Sequence, residues 1–174
     1  MPNIKIPKSN RKRALILVDI QKSFVKNQKS KLIKNLDKLL KQEKYDLFIE
    51  ATFHAEKGSL WDRQTHWTFP YEPMISEITK KLLKGKKIVK VIKETRSAFK
   101  GNKNILALLR KKKIEEIHVA GFDINDCVFA TAQESFDYGF YTYVIEECVG
   151  SSAGVALHKA AIKILRYLGL TNHS

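Results

Sequence analysis

A three-layer α/β/α fold around a mainly parallel sheet of five or six strands is predicted here, on three observations. Short apolar runs of strand length alternate with segments whose apolar residues recur at helical spacing. The first of these runs is continuously apolar, as a strand covered on both faces is. The chain has 174 residues without an internal repeat, low-complexity tract or interdomain linker. That length suits a single domain, 1–174, whose residues 1–12 form a basic N-terminal extension.

The elements follow in order. Ala14–Val18 is a strand, too short to be a helix. Lys31–Lys44 places Leu32, Ile33, Leu36, Leu39 and Leu40 at helical spacing. Tyr45–Phe53 is the second strand. Residues 54–73 read as irregular but packed, because Trp61, Trp67, Phe69, Pro70 and Tyr71 fall there. Glu72–Lys84 is a helix with Pro73 tolerated in its first turn. Lys87–Lys93 is the third strand, and Asn104–Lys112 a helix with Ile105, Leu108 and Leu109 on one face. Glu116–Ala120 is the fourth strand and stops at Gly121. Asn125–Tyr138 is a helix with Val128, Phe129, Ala132 and Phe136 inward, closed by Gly139. Phe140–Ile145 is the fifth strand, and Val155–Leu168 the last helix, ended by Gly169. Strands alternating with helices through right-handed crossovers make a Rossmann-like sheet with helices on both faces.

Composition excludes some functions and weakens others. The hydrophobic fraction of 44% is ordinary for a globular protein. No run of 18 apolar residues occurs, so no membrane span is expected. The basic N-terminus lacks the apolar centre of a secretory signal. Two cysteines without an export signal point to reduced thiols and a cytoplasmic setting. The net charge of +14 invites a nucleic-acid reading. However, only six basic residues are arginine, the residue suited to bidentate phosphate and base contacts, and the lysines are spread over helices and turns along the chain. Specific nucleic-acid binding is therefore not expected.

Sites in open parallel sheets form at the carboxyl ends of the strands. Three such ends carry reactive side chains: Asp19 after the first strand, Lys93 closing the third, and Cys127 past the fourth. Each has an ordinary reading, as a turn aspartate, a surface lysine and a core cysteine. Together they form a chemical set. A carboxylate can take a thiol proton. An ammonium favours both anions. A helix beginning at Asn125 adds a partial positive charge and free N–H groups. The expectation is a thiol activated near neutral pH, with Cys148 an inert structural thiol.

These residues resemble the isochorismatase-like cysteine hydrolases, the superfamily that includes nicotinamidases and N-carbamoylsarcosine amidohydrolases. Residues 14–24, with Asp19, Gln21 and Phe24, look like the family's opening strand. Lys93-Glu94-Thr95-Arg96-Ser97-Ala98-Phe99 is similar to its lysine segment, and Gly121 to Val128 to its nucleophile segment. The resemblance implies that Cys127 is the nucleophile, Asp19 the proton carrier and Lys93 the group that holds them. It also implies a cis peptide at Phe122–Asp123 and an oxyanion hole made by the N–H groups of Asp123 and Cys127. The expected pocket is lined by Phe24, His54, Trp61, Phe99 and Ile124. Dimers or tetramers are the expected assembly, and a small molecule the expected substrate.

The departures narrow this. Nicotinamidases bind a divalent metal through an Asp-x-His segment, which here reads Thr52-Phe53-His54. His54 and His66 alone would make a weak site, so no cofactor is expected. A small residue usually follows Gly121-Phe122, where this chain has Asp123, whose carboxylate opposes a developing oxyanion unless it turns away or caps the helix. The leading expectation is a hydrolase of a small amide or other C–N bonded substrate, through a thioester. The alternatives are a nicotinamidase-like metal enzyme and a non-enzymatic member that binds a ligand or a partner.

Overall fold

The computed structural model describes residues 3–25, 29–69, 83–101 and 104–174. Its strands are β1 (Arg13–Val18), β2 (Leu47–Phe53), β3 (Ile88–Lys93), β4 (Glu116–Gly121) and β5 (Tyr141–Val149). Its helices are α1 (Lys22–Val25), α2 (Lys29–Gln42), α3 (Leu60–Thr65), α4 (Ala98–Gly101), α5 (Ile105–Lys111), α6 (Cys127–Asp137) and α7 (Val155–Tyr167). The predicted helix over 72–84 lies, except for its last two residues, outside the described residues.

The five strands form one sheet in the order β3-β2-β1-β4-β5, and every neighbouring pair is parallel. A single parallel bridge, Val144 to Thr171, stands where a sixth strand would begin. The chain walks from β1 outward to β3, then returns to β1's other side for β4. The switch point therefore lies between β1 and β4, and the crevice beyond their carboxyl ends is the natural site.

All six residues of β1 are buried, Arg13 and the unbroken apolar run Ala14–Val18. Period-2 alternation splits them between two layers. Ala14, Ile16 and Val18 face a core closed by Ile105 and Leu109 of α5, Val128 and Ala132 of α6, and Leu165 of α7. Leu15 and Leu17 face the other layer, with Leu32, Leu36 and Leu39 of α2. Among the described residues no helix is long and apolar enough to cross a membrane.

Several local expectations change. The stretch after β2 contains α3, started by Ser59, whose side chain accepts from the Asp62 N–H at 3.2 Å. Asp62 reaches back to the Gly58 N–H at 2.7 Å, a reciprocal cap. Helix α6 begins at Cys127 rather than Asn125, because residues 123–126 form a turn. Phe136 is 59% exposed rather than inward, since Ser135 takes the buried position beside it. β5 runs four residues past its predicted end.

Candidate active site

Two glycines let the backbone close around the strand ends. Gly121 has φ +125°, and a Cβ there would fall 1.9 Å from the Val18 carbonyl oxygen. Only glycine permits this contact, which brings the end of β4 against the residue preceding Asp19. At Gly101 a Cβ would lie 2.4 Å from Cβ of Lys93, so α4 rests directly on β3.

Asp19 itself has φ +50°, a left-handed conformation uncommon outside glycine, and its N–H is held by the Ala51 carbonyl at 2.8 Å. Backbone strain of this kind persists where neighbours over-determine the position. Gln21 supplies part of that restraint. Its amide accepts from the Phe53 N–H at 2.7 Å and donates to the Phe53 carbonyl at 3.0 Å, extending the sheet by a side chain.

Lys93 and Asp19 are both fully buried, and Lys93 Nζ donates to Asp19 Oδ2 at 2.8 Å. Nζ also donates to the Thr95 carbonyl at 3.2 Å and lies 5.1 Å from the centre of the Phe53 ring. Asp19 Oδ1 is buried without a nitrogen or oxygen donor among the described residues. The Cys127 thiol, 7% exposed at the first position of α6, couples to the same carboxylate. Burial raises the Asp19 pKa to about 6, against the pull of Lys93 and of the thiol contact. Burial also pushes the Cys127 thiol well above its ordinary range, and the Lys93 charge only partly offsets this. At neutral pH the pair is therefore a carboxylate beside a protonated thiol. Desolvation at the helix start thus opposes the activation expected near neutral pH, and Asp19 is the group placed to take the proton.

The nucleophile turn contains a cis peptide at Phe122–Asp123. The Asp123 carbonyl accepts from the N–H groups of Asp126 and Val128, at 3.0 Å each. Among the described residues no acceptor takes the N–H of Asp123 or of Cys127, so both remain available to an oxyanion. The Asp123 carboxylate turns away from this hole and accepts from the N–H and hydroxyl of Ser152. Burial raises its pKa, against those two hydrogen bonds. Asp126 pairs instead with Arg96, whose Nε lies 2.6 Å away and whose guanidinium lies over Trp61.

An aromatic cluster stands beside Lys93. Phe53 meets Trp61 edge-on at 4.9 Å, and Phe24 stacks on Phe69 at 4.8 Å. Trp67, beside both pairs, was not among the expected pocket residues. Of those expected, Phe24 and Trp61 belong to this cluster. His54 borders it, its Nδ1 3.2 Å from the Phe69 carbonyl. Phe99 and Ile124 lie apart from this cluster: both are buried in the core cluster that also holds Cys127, Phe99 against Tyr138 and Phe140. A cavity of about 650 Å³ opens elsewhere, at the end of β5 beside Asn35, Glu147 and His158, and none of Asp19, Lys93 and Cys127 lines it.

The metal of the nicotinamidase branch does not fit the residues present. Thr52 is buried and its hydroxyl donates to the Val91 carbonyl at 3.3 Å. His54 spends its other ring nitrogen on Glu56 at 3.1 Å, and His66 is exposed at the end of α3. Among the described residues no three His, Cys, Asp or Glu side chains converge as a metal cluster.

A model of the isochorismatase domain matches residues 13–172. An isochorismatase-like hydrolase from Alkaliphilus metalliredigens superposes with a TM-score of 0.74 at 17% identity, over 90% of this chain and 91% of that one. Nicotinamidase/pyrazinamidase from Bacillus subtilis gives 0.72 at 20% identity, over 92% and 98%. Pyrazinamidase of Pyrococcus horikoshii, solved in complex with zinc, gives 0.74 at 20% identity, over 92% and 97%. At such identities the likeness to these structures is one of fold. No curated protein sequence matches the chain.

Proposed function

The chain belongs to the isochorismatase family, and from that premise we propose that it is a cysteine-dependent hydrolase of a small amide or related C–N bond. The observation that carries this reading is the junction of Asp19, Lys93 and Cys127 at three strand ends, with Lys93 2.8 Å from an Asp19 carboxylate that also couples to the thiol.

The chemistry follows from the protonation states. Asp19, with a pKa of about 6, is ionised at pH 7 and the thiol is not. As Sγ bonds to the carbonyl carbon, the thiol proton passes to Asp19 and the carbonyl π pair moves to oxygen. The N–H groups of Asp123 and Cys127 hold that oxyanion. Collapse of the tetrahedral species breaks the C–N bond, and Asp19 returns its proton to the leaving ammonia or amine. Water, deprotonated by Asp19, then attacks the thioester, and the carboxylic acid and free thiol are restored. Lys93 keeps Asp19 oriented and offsets its buried charge through the cycle.

The nicotinamidase and pyrazinamidase neighbours suggest two substrates, and the wider C–N hydrolase reading a ureido compound as the third. Nicotinamide, pyrazinamide and N-carbamoylglycine are incubated with wild type and Cys127→Ala, and ammonia is measured. The reading expects ammonia release from at least one of them by wild type, a transient acyl mass on Cys127, and loss of on the order of 10⁴-fold or more in the variant. Equal rates for the two proteins would sink it.

A further inference from the structure

The turn that carries the nucleophile is stitched to the loop after β5 by a run of hydrogen bonds. Ile124 N–H donates to the Gly150 carbonyl at 2.8 Å, and Gly150 N–H to the Gly121 carbonyl at 3.0 Å. The Ser151 hydroxyl donates to Asn125 Oδ1 at 2.5 Å. Ser152 completes the run from a distant point in sequence. Its N–H reaches Asp123 Oδ1 at 2.6 Å and its hydroxyl reaches Oδ2 at 2.5 Å.

The last pair differs from the others. Asp123 is one of the two residues whose N–H has no acceptor among the described residues, and its own side chain is an acid. One donor on each carboxylate oxygen fixes both the direction and the rotation of the group, as bidentate contacts do. This keeps the carboxylate's charge off the face where an oxyanion would form. It also anchors the Cα from which the free N–H projects.

We propose that Asp123 and Ser152 are a positioning pair for the oxyanion hole. Neither side chain touches substrate. Ser152 holds the Asp123 carboxylate outward, and the peptide N–H of Asp123 is thereby aimed inward. The inference rests on the cysteine-hydrolase reading above.

Two reactions of the same thiol separate the positioning role from a merely structural one. Alkylation by iodoacetamide needs the thiol and a base to take its proton, but no oxyanion hole. Benzaldehyde forms a thiohemiacetal: Sγ bonds to the aldehyde carbon, the π pair moves to oxygen, and the thiol proton passes through Asp19 to that oxygen. Its affinity therefore reads the hole, and protection of Cys127 from alkylation measures it. Ser152→Ala is expected to weaken benzaldehyde binding at least about tenfold, with the alkylation rate within about twofold of wild type. Ser152→Thr, which keeps the hydroxyl, restores binding. Equal benzaldehyde affinity in wild type and variants overturns the inference alone. A wild-type thiol that is alkylated at Cys127 but never protected by the aldehyde overturns the hydrolase reading and this inference with it.

Discussion

The two ends of the β1–β4 strand pair both bury charge and treat it in opposite ways. At the amino ends, Arg13 and Glu116 are register partners and their side chains meet, Nε 2.8 Å from Oε1. Glu116 also lies 2.9 Å from His118 Nε2, and His118 Nδ1 lies 2.8 Å from the Tyr45 hydroxyl. Arg13 continues to Glu43 and to the carbonyls of Pro7 and Ser9. Burial pushes the Glu116 pKa up, but His118, Ser9 and Arg13 pull it down to about 2. At the carboxyl ends, Asp19 has one strong charged partner, a left-handed backbone and a raised pKa. The first end is built to keep its charge. The second is built so that a proton can come and go, at a cost in stability that functional sites commonly carry.

The largest effect separating the two ends is expected from Glu116→Ala. It leaves Arg13 and His118 without their shared counter-charge in the core, which costs about 3–5 kcal/mol. Urea unfolding should show that loss, while kcat at low temperature, where the variant is still folded, stays near wild type. A variant of unchanged stability would mean that the network is not what holds this end together.

Acid gives the next largest separation, and the signs differ between the ends. Glu116 has a lowered folded pKa, so its contribution is present above the unfolded value of about 4.3 and is lost as pH falls through about 2. Asp19 has a raised folded pKa, so its ionised form costs stability above about 6, and acid relieves that cost. Between pH about 6 and 4.5 the fold should therefore hold while kcat/KM drops roughly tenfold per unit, as the base fills with a proton. Parallel pH profiles of activity and melting temperature check this. Inactivation that tracks unfolding across that window would break the comparison.

How much of this was legible in sequence follows from how local each feature is. β1 was readable because its five buried positions from Ala14 to Val18 form an apolar run. Asp19, Lys93 and Cys127 were readable because the sheet brings strand ends together whatever the loops do. Helix α3 had a local signal, Ser59 with Asp62, that the aromatic content of the stretch obscured. The Gln21–Phe53 clamp and the Ser152–Asp123 pair had none, because each joins residues about thirty positions apart through side chains that could as easily face solvent. The burial that opposes thiol activation was not legible for a related reason. The helix start and the lysine are visible in sequence, but the depth of burial that outweighs them is not.

The smallest expected effect concerns two glycines, one at each kind of region. Gly139 closes α6 at φ +88° with nothing within 4 Å of a Cβ, whereas Gly101 has no room at all. Gly139→Ala should cost about 1 kcal/mol through backbone strain and leave kcat unchanged, since it lies far from the reacting groups in the fold. Gly101→Ala gains helix propensity but forces a methyl group to 2.4 Å from Lys93 Cβ and 3.1 Å from Val91 Cγ1. Overpacking of this kind costs about 1–3 kcal/mol. Here the atom displaced belongs to the stem of the lysine that orients Asp19, so kcat should fall roughly tenfold, with KM nearly constant. The ratio of kcat loss to stability loss is the quantity to compare. If both alanine variants show the same ratio, then α4 only supports the sheet, and the catalytic end has no positioning contact that the rest of the fold lacks.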